Sequence, residues 1–182
     1  MAALRKANAY SKRIVVPYTR ISKKKNKSYI KTVPPQKIVK FTMGNENLIS
    51  QGKLPHTLTV VSEDNVQIRH NALEACRQFV NKKLETELAG NYVFKVIPFP
   101  HHIQRENKML TGAGADRMQT GMQLSFGKSI GKAAIIKKGS KIFFVAVANE
   151  KAVSLAREAL KQIKSKLPCR TRIIYQDLSK KK

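Results

Sequence analysis

Tryptophan is absent from this sequence, and aromatic residues make up only 7% of it. Flat side chains are therefore too few to serve as stacking platforms for a run of unpaired bases. Cysteine is nearly absent as well: Cys76 and Cys169 stand 93 positions apart, and no Cys-x-x-Cys pair exists. That excludes a zinc ribbon or finger and fits two small side chains in a reducing cytosol. Long apolar runs are missing too. The longest, Ile142 to Ala148, has seven residues and cannot span a bilayer. Acidic residues are the scarcest feature of all, 11 against 36 Lys and Arg in 182 residues, for a formal charge of +25. A compact chain with that charge repels itself and calls for a polyanion, nucleic acid before an anionic membrane. Apolar residues still make up 42%, enough for a core.

The charge is unevenly placed. Residues 1–45 hold 12 Lys or Arg and no acid, residues 46–100 balance six bases with six acids, and the last 26 residues carry nine bases against two acids. Met1 to Leu4 lacks the apolar stretch of a secretory signal. The acid-free start has the composition of a transit peptide, but Pro17, Pro34 and Pro35 interrupt any amphipathic helix. It reads as a retained basic arm over 1–36, followed by one domain over 37–176 and a basic tail over 177–182.

Periodicity predicts the elements. Lys37 to Met43 alternates like a strand ended by Gly44-Asn45, and Thr57 to Val61 gives another. Asn71-Ala-Leu-Glu74 has the form of a capping box, and Leu73, Cys76, Val80, Leu84 and Leu88 recur at helical spacing, with Gly90 as a left-handed stop. The spacing predicts a helix over about 72–89. Tyr92 to Ile97 is a strand stopped by Pro98 and Pro100. Ala133 to Ile136 and Lys141 to Ala148 flank Lys137-Lys-Gly-Ser140, the signature of a hairpin turn. A second helix opens at Asn149 and closes at Pro168, and Arg170 to Tyr175 forms a last strand. Together these give an α+β fold: two helices on a mixed, mostly antiparallel sheet, with a basic arm and a long functional loop.

Residues 98–131 hold five glycines and, counting His101 and His102, six basic residues against Glu106 and Asp116. Gly127-Lys128-Ser129 ends like a phosphate-binding P-loop, but Met122 stands where the first glycine belongs. Gly112-Ala-Gly114 begins like a dinucleotide fingerprint, but Arg117 takes the third glycine position. His101, His102 and Glu106 lack the helical spacing of a metal site. Glu106 and Asp116 have nothing to fix them as a carboxylate pair, and Asp116 fits better as the cap of a short helix over 117–124, where Met118 and Met122 share a face. Cys76 falls on an apolar helix stripe, a core position rather than a nucleophile's. Binding fits better. Gly112, Ala113, Gly114 and Ala115 leave a backbone with little bulk that can approach phosphates, and Arg105, Lys108, Arg117, Lys128 and Lys132 surround it. Arg5, Lys12, Arg13, Tyr18, Arg20, Lys23, Lys24, Lys25 and Lys27 are the expected phosphate contacts of the arm.

Four segments carry a resemblance: KIVKFTMGN at 37–45, VQIRHNALEACR at 66–77, PHHIQRENKMLTGAGADRMQTGMQLSFGK at 100–128, and KLPCR at 166–170. In these the sequence resembles the archaeal form of the universal ribosomal protein sixteen family of the large subunit, ten-e in the older archaeal scheme, over about residues 15–175. The resemblance implies a non-enzymatic α/β protein of the cytoplasmic ribosome, embedded in large-subunit rRNA beside other large-subunit proteins. It also implies a role in late subunit assembly, with a loop over 101–117 directed toward tRNA and the peptidyl-transferase region. Carried over by motif, Arg105, Asn107, Lys108, Met109, Thr111, Gly112, Ala113, Gly114, Ala115, Asp116 and Arg117 form that loop. Arg69, His70, His101, His102, Lys128 and Lys132 join the arm as expected rRNA contacts. No catalytic residue, cofactor, metal, membrane or homo-oligomer is expected.

Overall fold

A computed structural model describes residues 7, 8, 10–12, 32–106 and 128–178. In chain order its strands are β1 (Thr42–Gly44), β2 (His56–Ser62), β3 (Val66–Arg69), β4 (Tyr92–Val96), β5 (His102–Glu106), β6 (Lys128–Ile136), β7 (Lys141–Val147) and β8 (Thr171–Asp177). The helices among the described residues are α1 (Asn47–Ser50), α2 (His70–Leu88) and α3 (Glu150–Gln162), the last running into a 3-10 turn, Ile163–Lys166. The class is α+β, as the periodicity implies, but the single expected sheet is two. One is five-stranded, in the order β1-β4-β7-β2-β8, and the other three-stranded, β3-β6-β5. Every pairing is antiparallel.

The division is made at two adjacent turns. Lys137 to Ser140 does close, with Ser140 N–H donating to Lys137 O at 3.0 Å and Gly139 at φ +84°. The strands it joins nevertheless part, β6 into the smaller sheet and β7 into the larger. The turn bonds sideways to the β2–β3 connection. Gly139 N–H donates to Ser62 O, Ser62 N–H to Ser140 O, and Lys138 N–H to Asn65 Oδ1, at 2.8, 3.0 and 2.8 Å. β2 with β3, and β6 with β7, thus form one long antiparallel ribbon broken at the same level in both halves. The expected hairpin is therefore corrected to a crossing between sheets.

Helices α2 and α3 pack against each other and on the sheets, α2 along β4, β3 and β6 and α3 along β2 and β7. The core between them is made by Leu58, Phe94, Phe143, Leu73, Leu84 and Leu160, all essentially buried. A smaller cluster, Leu54, Val93 and Ala146, lies under Leu48 and Ile49 of α1. Both sides of β7 are therefore covered, which is why its sequence is a continuous apolar run rather than an alternating one.

Three local expectations change. Helix α2 starts at His70, so Asn71 falls inside the first turn; its Oδ1 is buried without a partner, and Glu74 turns forward to accept from Arg77 Nε and Nη2 at 2.7 and 2.6 Å. No capping box forms. The helix stops on Ala89, at φ 43°, one residue before Gly90 at φ 84°. The strand expected over 37–43 is shortened to Thr42–Gly44, though Ile38 still reaches the core.

Candidate nucleic-acid interface

The three-stranded sheet carries the described part of the expected RNA surface. Strands β5 and β6 are in register from His102–Ala133 to Glu106–Lys128, with an irregularity between Gln104 and Arg105. The sequence reading leaves 101–117 as loop; the structure makes His102–Glu106 a strand. Glu106 and Lys128, the residues flanking 107–127, are thereby held opposite each other. Irregularities of this kind raise the local twist of a two-stranded ribbon. Gln104 Nε2 also donates to Gln67 Oε1 at 3.1 Å, a bond that reaches across β6 between the two outer strands of the sheet.

Part of the arm is docked on this sheet. Gln67 N–H donates to Ser11 O at 2.9 Å, and Tyr10 hydroxyl donates to Glu106 Oε1 at 2.6 Å. Ser11 is buried, while Lys12 beside it is exposed. The charge density of the arm hid this attachment; the tyrosine between bases was its one visible signal.

The remaining expected contacts separate by position. Lys128 and His101 are exposed, and Arg69, Arg105 and Lys132 are half-buried. Arg69 pairs across with Ala133, so Lys132, the next residue of β6, stands on the opposite face of the sheet. His101 Nδ1 lies 3.0 Å from Phe99 O. His70 and His102 do not face outward: they are 2% and 4% exposed. Burial, then the charges of Lys37, Arg69 and Lys132, push His70 down to about 4. Burial, then His101 and Arg105, push His102 down to about 4. Both imidazoles are neutral near pH 7. Buried and uncharged, neither ring offers this surface a cation. Lys37 is a cation near His70 that the strand reading of 37–43 passed over. A Cβ at Gly131 would lie 3.1 Å from His70 Nε2.

Arg5, Arg13, Tyr18, Arg20, Lys23, Lys24, Lys25 and Lys27 lie outside the described residues, as do the loop from Asn107 to Arg117 and the helix expected over 117–124. So do residues 179–182 of the tail.

Among the described residues no three His, Cys, Asp or Glu side chains converge to hold a metal ion. Cys76 is fully buried, and burial pushes its thiol up to about 12, beyond use as a nucleophile. Among the same residues no helix is long and apolar enough to cross a membrane.

Known proteins resemble this chain along nearly its whole length. The family model described as Ribosomal protein L16p/L10e matches residues 17–174. A protein of Sulfolobus acidocaldarius described as large ribosomal subunit protein uL16 is 44% identical over 180 residues, covering 97% of this chain and 96% of its own. Its counterpart in Staphylothermus marinus is 44% identical over 96% of this chain and 95% of its own, and one in Methanococcus maripaludis is 41% identical over 97% and 98%. A basic α+β chain matched over nearly its whole length in this way belongs to the ribosomal protein L16p/L10e family, a structural protein of the large subunit on the cytoplasmic ribosome and not an enzyme.

Proposed function

We propose that this protein braces large-subunit rRNA with its basic arm, the cations of its three-stranded sheet and its tail, and reaches tRNA near the peptidyl-transferase region with residues 107–117. The observation that carries the reading is the pairing of Glu106 with Lys128. It gives the stretch that holds the small residues Gly112 to Ala115, with Lys108 and Arg117 on either side, a two-stranded base, the construction required to hold a short reach of backbone at a fixed place. Arg69, Arg105, Lys128, Lys132 and His101 act as phosphate contacts around that base, and Lys12 continues the surface into the arm. Backbone contacts of this kind position a protein on RNA and carry no sequence code. Selective base reading is disfavoured, because A-form RNA hides its major-groove edges from side chains. Neighbouring large-subunit proteins are the remaining partners, and the chain acts as a single copy.

Deleting Thr111 to Ala115 tests the reach. The variant keeps the thermal midpoint of the parent chain, because no apolar anchor is removed. Subunits built with it are impaired in late maturation or in tRNA handling. Translation at the parental rate with this deletion removes the loop from the mechanism.

A further inference from the structure

A second basic surface lies apart from the three-stranded sheet, between α3 and the edge strand β8. A groove of about 430 Å³ opens there, lined by Arg157, Lys161 and Lys164 from the helical side and by Thr171, Arg172 and Ile173 of β8. All four side chains are exposed, and among the described residues none has a carboxylate within ion-pair distance. Glu63 is the one acid of the lining and Ile173 its apolar part. The floor includes Thr171, which is 9% exposed and whose Oγ1 is buried with no hydrogen-bond partner.

We propose that this groove is a binding site for the phosphodiester backbone of an rRNA segment, distinct from the segments held by the arm and the three-stranded sheet. The inference rests on the reading of the chain as an rRNA-binding protein. Four cations against one carboxylate select an anion. Their arrangement selects an extended one, since Arg157, Lys161 and Lys164 follow each other over about 10 Å of helix. A single carboxylate or free phosphate engages one part of such a row; a strand of linked phosphates engages all of it. The unpartnered hydroxyl is a donor whose burial costs free energy until an acceptor arrives, and a phosphate oxygen is an acceptor of the right kind. A docking protein would need an apolar anchor at the centre of its contact, and Ile173 alone, half-buried, does not supply one.

Photo-crosslinking on assembled subunits identifies the occupant. With Lys161→p-benzoylphenylalanine, an adduct to large-subunit rRNA is expected. An adduct to a neighbouring protein, or none in fully assembled subunits, overturns the proposal. Binding to deproteinised large-subunit rRNA measures the contacts. Lys161→Gln with Lys164→Gln lowers the slope of log affinity against log salt by about 1.4, at roughly 0.7 per lost phosphate contact. The exposed pair Lys53→Gln with Lys82→Gln removes the same charge and leaves the slope unchanged; an equal drop from that pair reduces the groove to general charge and sinks the idea. Thr171→Val separates contact from packing. It keeps or raises the thermal midpoint of the isolated chain, since an unsatisfied hydroxyl is gone, yet the protein leaves the subunit at lower salt. A lowered midpoint with unchanged salt release assigns Thr171 to the fold and overturns its role as a donor. Arg105→Gln with Lys128→Gln reports on the earlier reading alone: no effect there, with the groove variants behaving as stated, defeats that surface and leaves this one standing.

Discussion

Gly44 sits at φ +85°, and a Cβ built on it would come within 2.0 Å of Tyr92 O. Both the backbone conformation and the close approach of β4 demand glycine there. Gly44→Ala is expected to destabilise the fold by about 3 kcal/mol or more, read from chemical denaturation. Gly131→Ala is milder, about 1–2 kcal/mol, because its new methyl meets the imidazole edge of His70 rather than backbone. The two buried histidines give the molecule a pH dependence. In the fold both protonate only near pH 4, while in the unfolded chain they protonate near 6.5. The unfolded state binds more protons between these values, so stability falls as pH drops from about 6.5 toward 4. Urea midpoints at pH 7 and pH 4.5 check this, and His70→Asn with His102→Asn flattens the difference between them. Cys76 was legible as a core residue from its helical spacing. The burial of His70 and His102 was not, because a histidine in a basic sequence has the same one-dimensional surroundings whether its ring turns in or out.

Helix periodicity translated well. The spacing of Val153, Ala156, Leu160 and Ile163 marks the inner face: the last three are buried and Val153 is half-buried beside the buried Ala152, while the exposed face of α3 holds Arg157 and Lys161. Leu160, 1% exposed, packs in the main core, and Leu160→Ala is expected to cost about 2–5 kcal/mol by thermal or denaturant unfolding. Helix ends translated less well. Asn71-Ala-Leu-Glu74 has the residues of a capping box, but the helix reaches back to His70 and Arg77 captures Glu74. Strands depended on what covered them. Val66–Arg69 and His102–Glu106 were unread as strands, the first for its shortness and the second because one histidine and two charges in five residues obscured its alternation. The Lys137 to Ser140 turn was legible as a turn. That it links two sheets was not, since this depends on Ser62 and Asn65, more than seventy residues away, accepting its N–H groups.

The whole molecule is organised by charge around a nearly neutral centre. Two of its basic stretches, residues 101–141 and the last 26, meet the described fold at different places, one on the three-stranded sheet and one beside β8. Binding of the intact chain to deproteinised large-subunit rRNA is therefore expected to weaken steeply with salt, by about 0.7–0.9 log units per log of salt for each phosphate contact. A shallow slope, worth one or two contacts, contradicts the bracing role. Composition alone determined the class of partner, because +25 on 182 residues requires a polyanion whatever the fold. Local pattern determined both long helices, most strands and the family, because periodicity and segment identity are properties of neighbouring residues. Only the tertiary structure decided that one sheet becomes two, that the arm is tied down at Tyr10 and Ser11, and that two histidines turn inward. It alone joined Arg157, Lys161 and Lys164 to Arg172 around one groove. Each of these depends on hydrogen bonds or packing between distant parts of the chain, and such contacts leave no periodic trace in the order of residues.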